Sequence, residues 1–262
     1  MFKKRLIPVL LLKNGLLVRS EGFRIHQIIG NPLFEVKRFN EWNVDELIYL
    51  DITKEGDYDL RRNDHKTKNL SSPLQILEAV SRTCFMPLTW GGKIRSVAEM
   101  KPLFFLGADK ISINTIAVEQ PGIVSKAAKT FGSQAIVVSI DVKTSESGNW
   151  EVVTNGGTKR WGLDPVDWAK QVEKLGAGEI LIQSVERDGS GEGYDLDLIQ
   201  KVAAAVCIPV IACSGVGKFE DYAQAIQAGA SAAAAANIWH FQEMTDRKGK
   251  KAMAAAGVSV RL

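Results

Sequence analysis

Ile136-Val137-Val138-Ser139-Ile140-Asp141-Val142-Lys143 reads as a buried β-strand that runs into an acid near its C-terminal end. Similar apolar strands fall near 5–12, 46–51, 86–90, 109–114, 179–184, 208–213 and 231–236, with the quoted strand at 135–141. Amphipathic stretches of helical length lie between them, among them 73–84, 94–106, 118–131, 165–175, 196–206 and 219–228. Strands that are apolar throughout, rather than alternating, call for a parallel sheet covered on both faces. Eight such strand–helix units in 262 residues fit a closed (β/α)₈ barrel, one α/β domain spanning 1–262, better than an open doubly wound sheet. No Gly-x-Gly-x-x-Gly follows a strand, so the usual dinucleotide signature is missing.

Internal repetition supports closure. An offset of 122 lays 88–115 on 210–237 and aligns Gly107-Ala108 with Gly229-Ala230; Gly176-Ala177 precedes the sixth strand in the same way. Glycine there ends the helix in a left-handed cap before the next strand begins. An offset of 130 lays Leu6-Ile7-Pro8-Val9-Leu10-Leu11-Leu12-Lys13 beside the quoted strand. Apolar residues match and Lys13 meets Lys143, but Leu11 meets Asp141. Two segments interrupt the repeat, 15–32 after strand one and 53–72 after strand two; the second, rich in Asp, Arg, Lys and Asn, reads as a mobile loop. Both fall on the C-terminal face of the barrel, where such folds build active sites.

Composition narrows the function classes. A net charge of +3 with mixed signs argues for neither nucleic acid nor membrane. The apolar run to Leu12 contains Pro8 and no small-residue cleavage site, so it does not read as a signal peptide. Cys84, Cys207 and Cys213 are odd in number and form no C-x-x-C, and His26, His65 and His240 are scattered. Neither a disulfide framework nor a metal site is indicated, and the cytoplasm is the expected compartment.

The loops after strands three, four, seven and eight carry Gly91-Gly92, Asn114-Thr115, Ser214-Gly215-Val216-Gly217 and Ala236-Asn237, and Asp188-Gly189-Ser190-Gly191 follows strand six. Such loops let backbone N–H groups approach phosphates. Their repeat-related placement suggests two phosphate sites and an elongated ligand with a phosphate at each end. Asp141, at the end of a barrel strand, is the candidate general acid or base. Asp51 and Asp188 are candidates for ligand hydroxyls. Strand starts carry Arg5, Glu46, Lys110 and Glu179. Spacing alone reads these as ordinary solvated charges; if they point inward, they must pair.

Several segments together resemble the HisF family, the cyclase subunit of imidazole glycerol phosphate synthase. They are Lys4-Arg5, Asp45-Glu46-Leu47, Leu50-Asp51-Ile52-Thr53, Gly107-Ala108-Asp109-Lys110 and Ser112-Ile113-Asn114-Thr115. Others are Phe131-Gly132-Ser133-Gln134-Ala135, Ile140-Asp141, Gly176-Ala177-Gly178-Glu179-Ile180, Arg187-Asp188-Gly189, Gly193-Tyr194-Asp195 and the terminal 258–262. The resemblance implies a (β/α)₈ barrel with a HisH-like glutaminase on its N-terminal face, whose ammonia crosses the barrel to a phosphorylated small molecule. It implies no cofactor. It maps a charged ammonia gate onto Arg5, Glu46, Lys110 and Glu179, with Asp109 beside it on the docking face. It maps the phosphate and substrate positions onto Gly92, Lys93, Asn114, Thr115, Asp188, Gly189, Gly215, Ala236 and Asn237.

The chain departs from that pattern. Of the family's two catalytic aspartates one maps to Asp141 and the other to Leu11, which cannot transfer a proton. Lys93 ends a glycine triplet and Ser214 stands at a family glycine. Leu10-Leu11-Leu12-Lys13 and Gly15-Leu16-Leu17-Val18 resemble a HisF-like side group associated with amidation of surface-polysaccharide sugars. The first expectation is therefore ammonia supply for acetamidino-sugar formation, with a sugar-amidating ligase as a further partner. The alternatives are the histidine-pathway cyclase and a non-catalytic ammonia conduit.

Overall fold

The computed structural model describes residues 3–42, 44–61 and 69–261. Eight parallel strands close a barrel: β1 (Arg5–Lys13), β2 (Leu47–Asp51), β3 (Leu88–Gly91), β4 (Lys110–Ile113), β5 (Ile136–Thr144), β6 (Glu179–Ser184), β7 (Val210–Cys213) and β8 (Ala232–Ala235). Each strand pairs with the next, and β8 returns to β1 with Ala232 opposite Arg5. Helices between the strands complete a single-domain (β/α)₈ barrel. The 122-residue offset carries the observed bounds of β3 and β4 onto those of β7 and β8 without a shift.

Side chains alternate across each strand. One set, including Ile7, Val9, Leu11, Ile48, Val137, Leu181, Ile211, Ala232 and Ala234, forms a small apolar core inside the barrel. The alternate set, including Leu6, Leu10, Leu47, Tyr49, Trp90 and Ile111, belongs to the larger core under the helices. Because both faces are buried, the strands read as continuous apolar runs. Helices begin where the chemistry of capping dictates: Ser72, Ser96, Asp164 and Asp195 each accept a hydrogen bond from the first helical turn. The helix expected over 118–131 is two, Thr115–Glu119 and Gly122–Phe131, broken at Gln120-Pro121. Pro121 has no N–H with which to continue the first helix.

β1 and β5 are the longest barrel strands, and each runs past the barrel into an antiparallel hairpin. Leu16–Glu21 pairs with β1 and with Ile25–Gly30. Trp150–Thr154 pairs with β5 and with Lys159–Arg160. The first hairpin fills the 15–32 insertion; the second falls where the sequence reading placed no strand. Of the loop expected at 53–72, residues 62–68 lie outside the described residues. Its described part is anchored, with Leu60 buried and the Asp59 N–H donating to the Asn14 carbonyl. Among the described residues no helix is long and apolar enough to cross a membrane.

Candidate functional site

Asp141 faces the barrel axis near the C-terminal end of β5 and is 5% exposed. Three side chains surround it. Asn114 Nδ2 donates to Oδ2 at 2.7 Å, Gln183 Nε2 to Oδ1 at 3.0 Å, and Ser139 Oγ to Oδ1 at 3.3 Å. Burial pushes the carboxyl up to about 6; the three donors oppose that shift and the charge of Asp188 adds to it. The acid is thereby poised to exchange a proton near neutral pH. Sequence reading missed Gln183 and Ser139. Their signal was the two-residue period: Ser139 precedes Asp141 on the same inward face, and Gln183 lies beside Asp141 in the β5–β6 register.

Leu11 holds the corresponding place on β1. It is 9% exposed and belongs to the apolar interior cluster with Val9, Val18 and Ile48. The mouth thus has one acid on β5 and hydrocarbon on β1.

The two phosphate-loop candidates share a backbone. After β3, Gly92 and Lys93 have φ of 96° and 61°; after β7, the repeat-related Ser214 and Gly215 have φ of 80° and 98°. A Cβ at Gly92 would run into the Asp51 carbonyl, and one at Gly215 into the Gly193 carbonyl, so neither position accepts a side chain. Lys93 and Ser214 adopt left-handed conformations that glycine tolerates at less cost. Gly189 also has a positive φ, 74°. Asn114-Thr115 and Ala236-Asn237 each lead into a short helix, Thr115–Glu119 and Ile238–Phe241.

Several expected ligand groups are engaged within the protein. Asp51 accepts the Tyr58 hydroxyl at 2.6 Å and the Thr53 N–H at 3.0 Å, and Lys93 Nζ lies 3.3 Å from the Tyr58 oxygen. Asp188 accepts the Ser20 hydroxyl at 2.6 Å and the Phe23 N–H at 3.1 Å. Asn237 accepts the Ser20 N–H at 3.2 Å and donates to the Ser20 carbonyl at 2.8 Å. The first hairpin is thus clamped at Ser20 by two residues expected at the phosphate loops. Thr115 Oγ1 reaches Asn155 Oδ1 at 3.4 Å. Asn114 Oδ1 is buried without a hydrogen-bond partner among the described residues. Tyr58 and Ser20 carried no sequence signal, because their roles depend on loops folding back over strand ends.

At the N-terminal end of the barrel the four charges converge, and the solvated reading that spacing favoured gives way. Arg5 lies 2.6 Å from Glu46 and 2.9 Å from Glu179, and Lys110 lies 3.2 Å and 3.0 Å from the same two carboxylates. The result is a closed ring of alternating sign with side chains 10–22% exposed. Burial pushes the Arg5 guanidinium down, but the pull of Glu46 and Glu179 outweighs it and raises its pKa. Asp109, the residue before Lys110, accepts the Leu88 N–H at 2.8 Å, fixing the entry to β3.

Comparison with known proteins agrees with this geometry. Residues 5–245 match the family model described as histidine biosynthesis protein. The imidazole glycerol phosphate synthase subunit HisF of Caulobacter vibrioides (strain NA1000 / CB15N) is 43% identical over a 267-residue alignment that covers 100% of this chain and 97% of that protein. The HisF of C. vibrioides strain ATCC 19089 / CIP 103742 / CB 15 matches to the same extent. With the barrel closed and its two charged ends in place, the chain belongs to the HisF family.

Proposed function

We propose that this chain is an ammonia-accepting synthase subunit. A glutaminase docks on the N-terminal face, ammonia passes the Arg5–Glu46–Lys110–Glu179 ring, and a phosphorylated small molecule receives it at the C-terminal mouth. The single observation that carries this reading is the pairing of that ring, at one end of the barrel, with the buried Asp141, raised to about 6, at the other. Loops at Gly92-Lys93, Asn114-Thr115, Gly189, Gly215 and Ala236-Asn237 hold the phosphates, and Asp141 moves the proton.

The name of the full-length relatives supports the histidine-pathway cyclase over the sugar-amidation role first expected. Leu11 is the observation that favours the second reading, in which ammonia serves a sugar-amidating ligase that modifies a surface polysaccharide. Removal of one of two acid–base partners typically lowers a rate about 10²–10⁴-fold. The test is to assay the chain with its copurified partners, in a cytoplasmic extract buffer, on the cyclase substrate and on candidate sugar nucleotides. Glutamine and ammonium salt are supplied in parallel. Cyclase turnover with either nitrogen source supports the first reading. Amidated sugar without cyclase product supports the second. Absence of both products, with ammonia still released by the partner, leaves the conduit reading.

A further inference from the structure

The two hairpins and the loop after β2 bring a group of cationic side chains to the mouth. Lys13, two residues past Leu11, has its Nζ 3.3 Å from Nδ1 of His26 on the first hairpin. Lys143, two residues past Asp141, donates to the Gly157 carbonyl at 2.6 Å. Lys54, from the loop after β2, reaches the Asn155 carbonyl at 3.5 Å. Lys54 and Lys143 therefore flank the turn of the second hairpin, and a Cβ at Gly156 or Gly157 would touch one or the other. Arg24, at the tip of the first hairpin, lies close enough to Lys143 to lower its pKa, after the larger effect of burial; Glu186 pulls the other way and Arg160 adds to the lowering.

None of Lys13, Arg24, Lys54 and Lys143 has a carboxylate at salt-bridge distance among the described residues, whereas the ring at the barrel's other end pairs every cation. Like charges gathered over a partly desolvated mouth repel each other unless an anion joins them. Each ammonium carries three N–H donors. The bonds to Asn155 and Gly157 use one on Lys54 and one on Lys143, so both keep donors for a guest. His26 responds to the same field: burial, Lys13 and Lys54, in that order, lower its pKa.

We propose that the chain binds a third oxyanion, between the hairpin tips, in a site formed by Lys13, His26, Lys54 and Lys143. Its ligand therefore carries a carboxylate or a further phosphate besides the groups held at the Gly92-Lys93 and Gly215 loops. The proposal deepens, and rests on, the reading of the mouth as a site for a phosphorylated ligand.

The His26 imidazole provides the readout. The full-length labelled chain is titrated with pH by NMR, with inorganic phosphate as the probe against chloride at constant ionic strength; acetate is a second arm. With phosphate saturating, the His26 midpoint is expected to rise by about half a pH unit or more, because a bound anion favours the charged ring. Lys54→Gln is expected to weaken phosphate affinity read at His26 about tenfold. The amide shifts of Gly189 and Gly215 should saturate as before. A response to acetate equal to that to phosphate assigns a carboxylate; a response to phosphate alone assigns a phosphate. If the Gly215 amide moves and His26 does not, the third site is overturned while the phosphate loops stand. If His26 responds with the same affinity in Lys54→Gln, the assignment of these residues is overturned. If nothing moves, both this inference and the phosphorylated-ligand reading fail.

Discussion

The two ends of this barrel handle charge in opposite ways. At the N-terminal end, Arg5, Glu46, Lys110 and Glu179 satisfy one another in a closed ring. At the C-terminal end the Asp141 carboxyl is pushed up to about 6, hydrocarbon occupies the facing strand, and Lys13, Arg24, Lys54 and Lys143 have no carboxylate at salt-bridge distance among the described residues. A ring that balances itself needs no ligand to neutralise its charge. A mouth with unbalanced charge is stable only in part until a ligand completes it. Under the proposed function the difference separates a device for passage from a device for chemistry. Substitutions at each end should therefore fail in different assays.

The largest expected effect is at Asp141. Asp141→Asn should reduce ammonia-dependent turnover about 10²–10⁴-fold while the fold is retained. Leu11→Ala should stay within about tenfold of the parent, since only packing is lost, with a destabilisation of about 2–4 kcal/mol. Equal losses in kcat would mean that the two strand ends share the chemistry after all.

The ring comes next. Glu46→Gln or Glu179→Gln leaves two cations facing one carboxylate, which costs about 3 kcal/mol if the ring behaves as a buried network. Thermal or denaturant unfolding measures this. Lys110→Ala should lose product made from glutamine while product made from added ammonium survives. Loss with both nitrogen sources would show that the ring only holds the barrel together.

Proton linkage sharpens the comparison further. Asp141 titrates near 6 in the fold against about 3.8 in the unfolded chain. Its raised pKa means that it stabilises the fold relative to the ionised form when protonated, fully below about pH 3.8, and that this is lost as pH rises through about 6. The stability of the parent relative to Asp141→Asn should fall by about 2 kcal/mol between pH 4 and pH 7. A flat difference across that range would mean that the carboxyl is solvated. Leu11→Asp tests the same physics on the opposite strand. It should restore little turnover, because Lys93 and Ser214 also reshape the mouth, and it should cost more stability at pH 8 than at pH 4.

The smallest effect concerns the loop backbone. Ser214→Gly removes a left-handed strain at φ 80° and adds unfolded-state entropy, so its net effect should lie within about 1 kcal/mol. A larger loss would mean that the Ser214 side chain has a structural role.

Sequence alone determined the barrel and much of its content. The continuous apolar strands, the repeat at an offset of 122 and the glycine caps between helix and strand are local properties, and they placed all eight barrel strands within about two residues at most boundaries, three at the end of β5. The asymmetry between Leu11 and Asp141 was also legible, because two strands with the same pattern differ at one matched position. Tertiary structure decided the rest. Residues from 5 to 179 meet in one ring only once the sheet closes, and no spacing rule distinguishes four solvated charges from four paired ones. Gln183 and Ser139 became partners of Asp141 through strand register, and Ser20 met Asp188 and Asn237 because a hairpin folds across the mouth. Periodicity records which way a side chain faces; which groups then meet depends on closure and on loops returning over strand ends. Burial follows from the same closure, and it is burial that moves Asp141 to the middle of its titration range.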